Sequence, residues 1–173
     1  MKTNTMLLIL CMLIGSVYAQ ENPEKPKASP ADSTQTTTED GVNIKINYSS
    51  PSLKGREIGV EVAEVGKIWR TGANEATTVE FDKDILINGN ALSAGKYSLY
   101  SIPGEQTTTI IFNKTWDQWG TEYNESEDAL RFDVNNDSLT ESQERFKIET
   151  DPSGLIHLAW GQYALSLHVE AAS

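Results

Sequence analysis

Three features of the sequence predict an all-β fold, an antiparallel β-sandwich or jelly-roll-like domain of about eight or nine strands. Apolar and polar residues alternate over residues 42–48, placing Val42, Ile44, Ile46 and Tyr48 on one face. That period of two is the mark of a strand with one buried face. Turn signals recur at short intervals, among them Asn88-Gly89, Pro103-Gly104 and Asp151-Pro152-Ser153-Gly154. No segment carries the 3.6-residue apolar spacing of an amphipathic helix.

In chain order, the first 19 residues read as a secretory signal peptide. Lys2 is followed by an apolar run over residues 6–14 and by a cleavage-like Val17-Tyr18-Ala19. The run is short for a membrane span, although an uncleaved anchor is the alternative. Cys11, the one cysteine of the chain, lies inside it. Leu8-Ile9-Leu10 lack the small residue that precedes a lipidated cysteine, so Cys11 reads as apolar filler that is discarded. The mature chain is then expected to be periplasmic or secreted, without disulfides, thiolate chemistry or a membrane span. Residues 20–40 hold three prolines, many Ser and Thr and no large apolar side chain. Such a composition cannot offset the entropy of ordering, and a disordered linker is expected. The single domain is placed at residues 41–173, and about 130 residues suffice for one core.

Strands are predicted at 42–48, 77–81, 85–87 and 96–102. In the last of these Tyr97, Leu99 and Ser101 share one face, and Tyr100 and Ile102 the other. Further strands are expected at 107–112, 129–134, 144–150, 155–160 and 163–169, with turns at Asn135-Asn136-Asp137 and Gly161-Gln162. Asn88-Gly89 is the strongest hairpin signal. Residues 53–65 stay open between a strand and a short helical turn, since Gly55 and Gly59 argue against length.

Several runs resemble a known bacterial family: the segment 48–56 beginning Tyr48-Ser49-Ser50-Pro51, the segment 66–77, Ile87-Asn88-Gly89, the segment 92–99 with Ala94-Gly95-Lys96-Tyr97-Ser98 in its middle, Ile102-Pro103-Gly104-Glu105 and Ile111-Phe112-Asn113-Lys114. Together they resemble the domain of unknown function 2911, found in secreted proteins of Bacteroidetes and related bacteria. The likeness extends from about Val42 to about Val169. It implies an exported, β-rich single domain and no particular activity.

Charge narrows the partners. The chain has 25 acidic and 14 basic residues, a net formal charge of −11, which gives no footprint for nucleic acid or an anionic membrane. The densest chemistry is Gly66-Lys67-Ile68-Trp69-Arg70-Thr71-Gly72-Ala73-Asn74-Glu75-Ala76-Thr77. Arg70 offers a planar fork for carboxylate, phosphate or vicinal hydroxyls. Asn74 can donate and accept, Glu75 can accept or act as a base, and Trp69 offers a flat face. Trp69, Arg70, Asn74 and Glu75 are therefore the candidate ligand-binding residues, for a polar small molecule or glycan. The competing reading has Arg70 and Glu75 pinning the loop to each other while Trp69 plugs the sandwich.

Other constellations carry less. Trp116, Trp119 and Tyr123 could form a stacking platform or cover a sheet. Asp133, Asn135, Asp137 and Glu144 follow calcium-loop spacing, but Ser138 stands where glycine is needed. Two histidines, His157 and His168, make neither a triad nor a metal cluster evident. No catalytic residue, metal or cofactor is assigned. The expected function is an exported binding module. The alternatives are a hydrolase using Glu75 with Arg70, and a structural envelope protein without a ligand site.

Overall fold

The alternating segments pair into ten strands in two antiparallel sheets. A computed structural model describes residues 28–172; the expected signal peptide and linker residues 20–27 lie outside them. The strands are β1 (Ala31–Thr37), β2 (Asn43–Ser49), β3 (Thr78–Phe81), β4 (Ile85–Ile87), β5 (Asn90–Leu92), β6 (Gly95–Ile102), β7 (Thr107–Asn113), β8 (Asp128–Asn135), β9 (Asp137–Thr150) and β10 (Leu155–Ala171). One sheet has the order β1-β2-β3-β6-β7-β8 and the other β5-β4-β10-β9. The sandwich-like, all-β expectation holds, with ten strands in place of eight or nine.

Two strands lie outside those expected, β1 and β5, and the two expected at 155–160 and 163–169 are one, β10; β1 corrects the linker assigned to residues 20–40. Its seven residues pair with β2 from Ala31↔Ser49 to Thr37↔Asn43. β1 has no apolar face because backbone pairing and side-chain bonds hold it instead. Tyr48 donates its hydroxyl to Asp32 at 2.9 Å, and the Thr34 and Thr150 hydroxyls meet at 2.8 Å. A polar strand suits an exposed edge, where an apolar one would invite further chains.

The core lies between the sheets and collects the inward parity of each strand. Ile44, Ile46, Val79, Phe81, Leu99, Ile110 and Phe112 face Ile85, Ile87, Phe146, Ile148, Ile156, Leu158, Leu165 and Leu167 in one contiguous cluster. Asn88 and Gly89 take φ of 48° and 77°, the left-handed pair that a two-residue hairpin turn requires between β4 and β5.

Two predicted turns are different in kind. Gly161-Gln162 is a bulge within one 17-residue strand, β10, whose register against β9 shifts on both sides of Gly161. Gly161 has φ 59°, and a Cβ there would stand 2.9 Å from Ile58 Cδ1; only glycine accepts that backbone with Ile58 packed on it. At residues 135–137 the chain steps from one sheet to the other through Asn136 alone. Its backbone N–H donates to Gln106 O and its Nδ2 to Gly104 O, at 2.9 and 2.8 Å. Residues 53–65 form neither strand nor helix but turns, with one isolated bridge between Ile58 and Val62.

Candidate functional site

The segment around Arg70 is an excursion from the larger sheet. Trp69 and Ser101 exchange both backbone hydrogen bonds, at 2.7 and 2.9 Å, and Leu99 N–H donates to Thr77 O at 2.8 Å. Both ends of residues 70–76 are thus tied to β6, and the residues between must loop outward. The loop is tight. Thr71 and Asn74 have φ of 46° and 59°, and a β-branched residue in that region costs on the order of 1–3 kcal/mol. Asparagine tolerates it better.

The loop is over-determined by polar contacts. The Thr71 and Ser101 hydroxyls meet at 3.0 Å, and Thr77 donates its hydroxyl to Thr71 O at 2.8 Å. Asn74 Nδ2 donates to Ser29 O and Ser49 Oγ at 2.9 and 3.1 Å. A clasp from residues 118–120 closes the outside, where Gly120 N–H donates to Asn74 O and Ala76 N–H to Gln118 O.

Beside this loop lies a cleft of about 510 Å³. Trp69, Arg70 and Asn74 line it, together with Gly72, Ala73, Tyr100, Gly120, Tyr123 and Trp160. Three of the four candidate residues are therefore brought together. Glu75 is exposed and is not among the walls. No ion pair joins Arg70 to Glu75 among the described residues.

Trp69 serves core and cleft at once. Its ring stacks on Trp160, with centroids 5.5 Å apart and planes 15° from parallel, and meets Phe146 edge-on at 5.2 Å. Tyr100 projects from the opposite face of β6 to Leu99. It is buried because the loops over the outer face enclose it with Ala76 and Ile111, and Tyr123 packs against it at 4.9 Å between centroids. Burial raises the pKa of Tyr100; the Gln118 amide, bonded at 3.0 Å, and the nearby Arg70 charge oppose the rise. Tyr123 is pushed up to about 12, first by burial and then by its hydrogen bond to Asp128. Both phenols stay neutral at ordinary pH.

The other charged walls are committed. Lys67 pairs with Glu64. Arg56 donates to Ser52 O and Leu53 O at 2.7 and 3.0 Å, and Glu61 accepts the Glu57 N–H at 2.9 Å. Arg70 differs, for its guanidinium has no hydrogen bond and no ion pair among the described residues.

Other parts of the surface are less equipped. A hollow of about 670 Å³ is lined by Leu53, Ile58, Val65, Pro103 and Tyr163, but Asn136 and Tyr163 within it bond to Thr108. Trp116 and Trp119 are 39% and 45% exposed, and Lys96 Nζ covers a Trp116 face at 3.9 Å. Asp133, Asn135 and Asp137 lie in β8 and β9, not in a loop. Among the described residues no group of three or more His, Cys, Asp or Glu is placed to hold a metal ion. The sheets bring His157, Ser166 and Asp137 together, which sequence order did not suggest. Ser166 donates to Asp137 at 3.2 Å while His157 Nδ1 stands 3.4 Å from Ser166 Oγ. The serine sits between acid and histidine, so the relay that a nucleophilic triad needs is missing.

Sequence reasoning missed Tyr100, Gly120 and Trp160 as cleft residues. Only the parity of Tyr100, outward from β6 yet aromatic, was a signal.

Fold and site together define a β-sandwich with a polar, aromatic cleft at its rim. The chain belongs to the family described as protein of unknown function DUF2911, which it matches over residues 29–169. Neither the curated proteins nor the solved structures contain a match to it. No helix among the described residues is long and apolar enough to cross a membrane.

Proposed function

We propose that this protein is an exported, periplasmic or secreted, binding module whose cleft at Trp69, Arg70 and Asn74 takes a polar small molecule or glycan. The observation that carries the reading is Arg70. A guanidinium held at a cleft wall with five donors and no acceptor among the described residues is equipped for a ligand. The strained backbone at Thr71 and Asn74 supports it, because strain of this kind persists where the surrounding structure over-determines it, often at ligand sites. Tyr123 and Trp69 add flat apolar surface beside the donors, the pairing that sugars and similar molecules use. The export half of the reading rests on the basic and apolar N-terminal 19 residues.

A hydrolase using Glu75 with Arg70 would need both to face one bound molecule. Arg70 lines the cleft and Glu75 does not, so binding is the reading we put forward. The test is a thermal-shift screen of polar metabolites and glycans, followed by calorimetry of each hit. Arg70→Ala is expected to abolish binding and leave the melting temperature nearly unchanged. A hit whose affinity survives Arg70→Ala, or a variant that unfolds, would defeat the assignment.

A further inference from the structure

The backbone of the Arg70 loop holds a second unusual feature. Gly72 and Ala73 are both buried and both line the cleft. Neither of their N–H groups donates to any described residue, nor do those of Thr71 and Asn74 beside them, whereas the Trp69 and Ala76 N–H groups and the Asn74 and Thr77 carbonyls are bonded to β6 and the 118–120 clasp. Buried amides without an acceptor are rare, since each forfeits a hydrogen bond with water and gains none in return. Here two successive amides of buried residues, without an acceptor among the described residues, adjoin a guanidinium that has none among them either. Successive free amides in an irregular turn form concavities that hold anions.

We infer that the cleft receives an oxyanion, a carboxylate or a phosphate, on Arg70 and the Gly72 and Ala73 amides. Its ligand is then an acidic small molecule and not a neutral glycan. This deepens the binding-module reading and rests on it. The chemistry is matched, because a charged acceptor satisfies the fork of the guanidinium and the amides together, which a lone hydroxyl does not. The net charge of −11 does not oppose this at close range, since charges are screened beyond about 8 Å at physiological ionic strength. Within the cleft the cations Arg56, Lys67 and Arg70 outnumber the acids Glu61 and Glu64. The remaining walls include the rings of Trp69 and Tyr123 and the aliphatic Val62 and Ile68, which fit the uncharged part of such a ligand.

The test uses ¹⁵N-labelled protein titrated with inorganic phosphate, acetate, glucose 6-phosphate and glucose. Phosphate or acetate at millimolar concentration is expected to shift the Gly72 and Ala73 amide resonances saturably, and the tighter of the two tells which oxyanion is preferred. Glucose 6-phosphate is expected to bind at least about ten-fold tighter than glucose, the ratio that one charge-assisted hydrogen bond supplies. Arg70→Gln should erase that difference, and Arg70→Lys should keep part of it. If a neutral probe binds the cleft and no anion moves the two amides, the oxyanion inference falls while the binding module stands. If neither anionic nor neutral probes move any cleft resonance, both fall.

Discussion

The stem of Arg70 lies directly over Gly120. A Cβ added to that glycine would overlap Arg70 Cδ and stand 2.8 Å from the Asn74 carbonyl oxygen. The first contact is with a side chain that can swing away, but the second is with backbone in the clasp. Gly120→Ala is therefore expected to cost about 1–3 kcal/mol, the range for overpacking, and to weaken ligand binding by displacing Arg70. Urea unfolding and calorimetry on the same variant check both. Unchanged stability with unchanged binding would mean that the clasp does not position Arg70.

Trp69 is the candidate site residue whose loss the fold should feel most. Its stack on Trp160 and edge contact with Phe146 join the cleft floor to the core. Trp69→Ala is expected to lose about 3–5 kcal/mol, as for other large aromatic truncations. Chemical denaturation measures the loss, and near-UV circular dichroism should lose the signal of the stacked indoles. A loss below about 1 kcal/mol would place the ring outside the cooperative core.

Alkaline pH offers a separate handle. Tyr48, Tyr123 and Tyr163 are each pushed up to about 12, with burial the first cause in every case. A folded pKa above the unfolded value of about 10 means the folded state favours the protonated phenol. Its stabilising effect is whole below pH 10 and is lost as pH rises toward 12. Stability should accordingly fall across that window, and ultraviolet titration should show native tyrosines ionising late. Tyr48→Phe, which also removes the bonds to Asp32 and to Ile148 N–H, should flatten part of the fall. A flat stability profile from pH 10 to 12 would contradict this account.

The edge strand can be tested by removal. A chain beginning at residue 38 lacks β1 and would be harmless if residues 20–40 were only a linker. Because β1 pairs along all seven residues with β2, its loss is expected to lower the urea midpoint and to expose β2 as a free edge prone to self-association. Equilibrium unfolding and size-exclusion chromatography decide the matter.

Much of the fold could be read from local pattern. The alternation at Val42, Ile44 and Ile46, the Asn88-Gly89 turn and the two faces of 97–102 each depend on neighbours within a few residues, so the sequence carries them. β1 was hidden for the opposite reason. Its residues have no large apolar side chains, and what orders them is a backbone partner supplied by β2. Gly161 was read as a turn because glycine marks both turns and bulges, and the pairing of β10 with β9 on both sides of it distinguishes the two.

The site divides along the same line. The amino-acid types at Trp69, Arg70 and Asn74 were sufficient to single out the segment, because chemical equipment is a local property. Glu75 has the same kind of equipment, yet it is Arg70 and not Glu75 that the cleft includes. Which way each side chain faces depends on Trp69 and Thr77 both being tied to β6 and on residues 118–120 crossing outside. Tyr100, Gly120, Tyr123 and Trp160 arrive from three further stretches of chain. By itself the sequence determined an acidic all-β domain and the residues with which it could grip a ligand. Tertiary structure decided the ten-strand pairing, the cleft and the place of Arg70 on its wall, since each depends on contacts between residues distant along the chain.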